Sequence, residues 1–206
     1  MIKQFTYTEI LELERFFRMN LINTISGLKA ANLIGTISPE GVPNLGVFNS
    51  VVHIGANPPY LGFIMRPLTV PRHTYSNLKA TQHFTINHIH PDILAKAHQT
   101  SAKYEADTSE FEATGLTPQY SELHPAPYVA ESAVQIGLEY TEEHPIQANG
   151  TVLIVGRIVE LRVSAAALGE TGHVELDAIK SLGVAGLDTY YTAQQLERLG
   201  YARVVK

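Results

Sequence analysis

Two neighbouring polar residues, Asn49 and Ser50, interrupt the apolar run VPNLGVFNSVVHI, residues 42–54. In a regular strand they point to opposite faces. Asparagine offers a donor and an acceptor, and serine a hydroxyl that serves as either, so the pair suits the edge of a planar polar ring. Gly46, and Gly62 in YLGFIMR, stand where strands normally carry side chains. Glycine within a strand often marks close approach of a ligand or another backbone. On neighbouring strands the two would make a flat floor, with Phe48 stacking on the ring or walling it. A β-bulge accounts for the same local pattern, with glycine relieving crowding where the strand bends. The two explanations stand side by side at this point.

Arg66, Arg72, His73 and Thr74 follow, just before a predicted helix HTYSNLKAT. A helix start presents unpaired N–H groups and a partial positive charge, which suit a phosphate. Arginine adds permanently charged, bidentate donors. Taken alone, an N-cap at Thr74 with solvated arginines explains this segment. A polar-edged floor and a basic helix start within thirty residues together point to a planar ring system carrying a phosphate. Flavin mononucleotide (FMN) fits both halves.

Other chemistries lack their residues. There is no Gly-x-Gly-x-x-Gly, Walker loop, His-Glu-x-x-His or Gly-x-Ser-x-Gly. The absence of cysteine removes thiolate catalysis, disulfides and cysteine metal sites. His88 and His90, in NHIHP, would share a strand face, but a metal needs a third ligand and no nearby acidic residue stands out as one. No metal is expected; the pair is read as strand-end histidines, exposed or capping.

The elements that must position these groups are mostly strands. NLIGTIS, PEG and VPNLGVFNSVVHI predict a hairpin, YLGFIMR a strand begun through Pro58-Pro59, and QHFTINHI another. SAVQIGLEYT alternates, and TVLIVGRIVELRV is apolar on both faces over its first half, as a central strand is. Apolar positions 10, 11, 13, 16 and 17 predict an N-terminal helix. PDILAKAHQTSA predicts a helix opened by Pro91, and TAQQLERLG a C-terminal one. The expected fold is mainly β with α decoration, a barrel-type core in one domain over residues 1–206 with helical N-terminal and C-terminal extensions.

The net charge of −5 argues against nucleic-acid binding. No apolar run is long enough to span a bilayer, so no membrane partner is expected. MIKQFTYTEILELERFF lacks the apolar core of a signal peptide, which makes a cytoplasmic location the expectation.

The order of motifs resembles the flavin reductase-like family with the FMN-binding split β-barrel fold, flavoredoxin-like members included. The resemblance is carried by TISPEGVPN, LGVFNSVVHI, NPPYLGFI, the Thr-centred turn RHTYSN, QHFTINHI and the later HQTSAKYEADTSEFEATGL. It implies that Val47, Phe48, Asn49 and Ser50 line the flavin ring, partly through backbone groups. It implies that Arg66, Arg72, Thr74 and Asn77 lie near the phosphate, with Lys103 a further candidate for the phosphate or for a partner subunit's flavin. It further implies a homodimer with flavin near the interface, and hydride transfer from NADH or NADPH to the flavin. No catalytic side chain is expected, because the cofactors carry that chemistry. His53 and the Tyr190-Tyr191 pair are candidates to flank the open face, although buried packing suits them as well. Two alternatives stay open: an FMN-binding electron carrier serving a protein acceptor, and an amine oxidase related to pyridoxamine phosphate oxidase.

Overall fold

The computed structural model describes residues 1–105 and 107–204. Its N-terminus holds two helices, α1 (Tyr7–Glu12) and α2 (Arg15–Thr24), where the apolar spacing predicts one. The break has a local cause. Leu13 and Glu14 are extended, and the Glu14 carboxylate accepts from the N–H groups of Phe16 and Phe17, both at 2.9 Å. A capping residue must stand outside the helix whose orphan donors it satisfies. Neither helix buries a residue.

The strands then begin: β1 (Lys29–Ala30), β2 (Asn32–Ile37), β3 (Pro43–Phe48), β4 (Val51–Ala56) and β5 (Pro59–Met65). The β2–β3 hairpin turns through Gly41, at a φ of 87° that favours glycine. Helix α3 (His73–Thr81) leads into β6 (His83–His88), a short turn of helix leads into α4 (Leu94–Gln99), and α5 (Glu110–Thr114) follows. The chain continues through β7 (Pro118–Gln119), β8 (Tyr128–Val129), β9 (Val134–Ile146), β10 (Thr151–Val163), β11 (Leu182–Ala185) and β12 (Thr189–Thr192).

Seven strands form one antiparallel sheet in the order β3-β2-β6-β9-β10-β5-β4. β3 and β4 occupy its two ends, yet only Asn49 and Ser50 separate them in sequence. A two-residue link between opposite ends requires the sheet to curl until the ends meet, so the sheet is a barrel with its corner at Asn49. The polar interruption is this bend, and β10 lies between β9 and β5 as its apolar sequence predicts.

β2 is buried on both faces, and its alternate residues serve two cores. Ile34 joins Phe63, Phe84, Ile86, Leu138 and Ile154. Phe48, Phe63 and Phe84 pack edge to face there, with centroids 5.2 and 5.4 Å apart. Leu33 joins Leu45, Ile89, Ala97, Phe111 and Val184, which tie α4, α5 and the small sheet β1-β11-β12 to the barrel.

Two expected elements differ. No helix follows β12 among the described residues. Leu196 and Leu199 are exposed, and a short helix with no surface for its apolar side is marginal. The helix expected from Pro91 shortens to α4 and the turn before it. No helix among the described residues is long and apolar enough to cross a membrane.

Candidate functional site

A cavity of about 1030 Å³ wraps round the free edge of β3 at the barrel corner. It lies at the upper end of the range for small-molecule sites, roughly 300–1,000 Å³. Val47, Phe48, Asn49, Ser50, Arg66, Arg72, Thr74 and Lys103 all line it. These residues come from β3, the corner, the end of β5, the start of α3 and the segment after α4. The small sheet contributes Val184 and Tyr190, and Ile22 and Asn23 come from the otherwise unburied α2.

One end of the cavity suits an anion. Helix α3 begins with no side-chain cap, so its first N–H groups are free of a capping acceptor. Thr74 is buried, and its hydroxyl oxygen accepts from Asn44 Nδ2 at 3.2 Å, which leaves the hydroxyl proton available to donate. Arg72 Nε is buried and has no acceptor among the described residues. A buried charged donor without a partner is costly, and an anionic group here would satisfy it.

The adjoining wall is an open strand edge. Leu45 N–H points away from β2 and donates to Glu110 Oε2 at 2.9 Å. By the alternation of an antiparallel ladder, Val47 directs both its N–H and its C=O the same way. Neither group has a hydrogen bond among the described residues. A donor beside an acceptor on a strand edge matches the polar edge of a planar ring. One end of the cavity therefore offers donors to an anion, and the other offers a backbone donor and acceptor to the edge of a planar polar ring.

Three expectations need correcting. Asn77 does not line the cavity: it is buried, and its Nδ2 donates to Thr36 Oγ1 on β2 at 3.3 Å. It lies on the face of α3 that packs against the barrel. Gly62 is not part of a floor, for β5 is not next to β3. A Cβ there would lie 2.8 Å from Ile154 O, so this glycine permits close approach of β10. Gly46 does line the cavity, where a Cβ would press on the Phe48 ring at 3.1 Å. Finally, Asn49 and Ser50 spend their side chains inside the protein. Ser50 Oγ donates to Ile64 O at 3.0 Å and accepts from Ile64 N at 3.2 Å, while Asn49 Nδ2 donates to Gly186 O at 2.7 Å.

The remaining candidates divide. Tyr190 lines the cavity with His98, whose Nδ1 lies 3.0 Å from the tyrosine hydroxyl. Burial pushes the Tyr190 phenol up. His53 and Tyr191 are exposed and lie off the lining. His88 meets Ser181 Oγ at 3.0 Å, and burial pushes its imidazole down to about 4. It is thus a packed histidine rather than an exposed one. No cluster of metal-binding residues occurs among the described residues.

Glu110 and Asn44 belong to the site and carry weak sequence signals. Asn44 shares a strand face with Gly46, which the alternation alone could have revealed. Glu110 looks like an ordinary acidic residue of a first helical turn. Nothing local announces its reach to Leu45.

Residues 29–182 match the family described as the flavin reductase like domain. A candidate flavin reductase with split barrel domain from Shewanella frigidimarina has a similar structure, with a TM-score of 0.93 and 45% identity, covering 97% of this chain and 100% of that one. Component B of nitrilotriacetate monooxygenase from Bacillus cereus has a TM-score of 0.84 at 20% identity, covering 97% of this chain and 99% of the other. The flavoredoxin of Desulfovibrio vulgaris has a TM-score of 0.72 at 22% identity, over 85% and 92% of the two chains. At those lower identities the likeness speaks for the split-barrel fold alone.

Proposed function

The chain belongs to the flavin reductase-like family, and from this we propose that it binds FMN at the barrel corner and transfers hydride from NADH or NADPH. The observation that carries this reading is the unpartnered Arg72 Nε beside the uncapped start of α3, on the same cavity as the open edge at Val47. Arg72, Thr74 and the first N–H groups of α3 hold the phosphate, with Arg66 and Lys103 adding positive charge. Val47 reads the ring edge through its backbone, and Phe48 walls the ring. Bound flavin supplies the hydride chemistry. This chain binds and orients the ring and limits its access to water.

A homodimer belongs to the same proposal. Helices α1 and α2 leave Tyr7, Phe16 and Phe17 exposed, while α2 also reaches the cavity. A second copy that covers these helices would also close the cavity over its ligand.

Fluorescence titration of the apo-protein with FMN, FAD and riboflavin tests the ligand. FMN binds tightest if the phosphate end is sized for a terminal phosphate. FAD binding as tight or tighter refutes the assignment. Anaerobic addition of NADH or NADPH then bleaches the visible flavin band. A flavin that dithionite reduces and both nucleotides leave oxidised favours the electron carrier.

A further inference from the structure

Glu110 is only 7% exposed, on the first residue of a helix where acids usually sit in water, as Glu112 does. Burial pushes this carboxyl above the usual carboxylate range, while the Leu45 N–H and the nearby His73 pull the other way. The loss of hydration is offset by what the group holds. Leu45 is fully buried on an edge strand, and without Glu110 its outward N–H would have neither water nor a ladder partner. The next outward position is Val47, whose free N–H and C=O face the cavity. Glu110 itself lines that cavity, as does His73 at the start of α3.

We propose that Glu110 is the positioning residue for ring recognition: by fixing Leu45 it holds the Val47 edge at the spacing that a cyclic imide, the polar edge of a flavin ring, requires. This rests on the flavin reading and adds a residue to it. The role is distinct from phosphate binding, so it affects riboflavin and FMN alike.

The test compares Glu110→Ala and Glu110→Gln with wild type in riboflavin and FMN titrations, together with hydrogen exchange of the Leu45 amide in the apo-protein. Glutamine can still accept from Leu45 N–H; alanine cannot. The expected result is that E110A loses about tenfold affinity for both flavins and exchanges Leu45 faster, while E110Q keeps both affinities and the protection. A folded E110A with unchanged affinity, or with a loss confined to FMN, overturns the inference and leaves the flavin reading intact. If E110A does not fold, E110Q decides: a loss of riboflavin affinity there overturns the role of the hydrogen bond. A wild-type protein that binds neither flavin overturns the flavin reading, and this inference with it.

Discussion

Asn49 Nδ2 donates to the carbonyl of Gly186 at 2.7 Å, joining the barrel corner to the turn between β11 and β12. The turn carries Leu187 and Asp188 along the cavity wall, with Tyr190 just beyond. Asn49 therefore ties this wall of the cavity to the barrel corner. Asn49→Ala frees that turn, and the expected result is weaker binding of riboflavin and FMN by a similar factor, of order 3–10-fold, from the loss of one neutral hydrogen bond. Fluorescence titration measures it. A loss confined to FMN would instead place Asn49 at the phosphate.

The phosphate end makes the opposite prediction. Arg72→Ala and Thr74→Val weaken FMN far more than riboflavin, which lacks the phosphate. A charge-assisted hydrogen bond contributes about 1.5–3 kcal/mol, or roughly 10–150-fold in affinity. Thr74→Ser keeps the hydroxyl and its acceptance from Asn44, so it retains FMN. Equal weakening of both flavins by R72A would show that the residue supports the fold.

Stability falls as the solution is acidified. His124 is buried; its Nε2 meets Tyr128 OH at 2.8 Å, and that hydroxyl donates to Glu160 Oε2 at 2.9 Å. The imidazole lies close against Gly137 and stacks on His83 at 5.8 Å, and its Nδ1 has no partner among the described residues. Burial lowers its pKa, with help from His83 and Arg162 and against the pull of Glu160. His88 is lowered to about 4 by burial. A histidine whose folded pKa lies below the unfolded value of about 6.5 gives an unfolded state that takes up protons first, so stability drops from there toward pH 4. For His88 the full loss is about 3 kcal/mol. Glu110, raised by burial, works in the other direction and offsets part of the loss in the acid range. Urea midpoints at pH 7.5 and 5.0 measure the effect, and His124→Gln should flatten it. Equal midpoints in the wild type would contradict the account.

Light scattering coupled to gel filtration should give twice the 22.6 kDa chain mass. Phe16 and Phe17, 61% and 53% exposed on α2, are the side chains to change. The double variant Phe16→Ser, Phe17→Ser is expected to run as a monomer and to bind FMN more weakly, since α2 reaches the cavity. A wild-type monomer that keeps FMN at nanomolar concentration would refute the shared site.

The fold was legible because its strands alternate and its turns carry Gly and Pro at the required places. The split barrel and the family follow from VPNLGVFNS, RHTYSN and their order, without any single diagnostic motif. What escaped depends on contacts distant in sequence. Ser50 meets the backbone of Ile64 on β5, and Glu110 meets Leu45, neither of which a local window can display. The family resemblance implies Asn77 near the phosphate, yet it sits one helical turn past Thr74 and faces the barrel. The helix expected over TAQQLERLG is absent because a short helix-prone segment without a surface to pack on does not hold a helix.

The bend at Asn49 also sets how fast this chain can reach its native state. Strands joined by two residues sit at opposite ends of the sheet, so neither finds a ladder partner across the bend. β5 must await β10, with Gly62 pairing to Val155, and β2 must await β6, with Ile34 pairing to Ile86. Chains dominated by such distant pairings fold on the order of milliseconds to seconds. During that interval the unpaired edge of β3 is open to any extended strand from a neighbouring chain. The edge that suits a ligand in the finished barrel is thus also a point of aggregation risk in the unfinished one, and ligand present during refolding would compete for it.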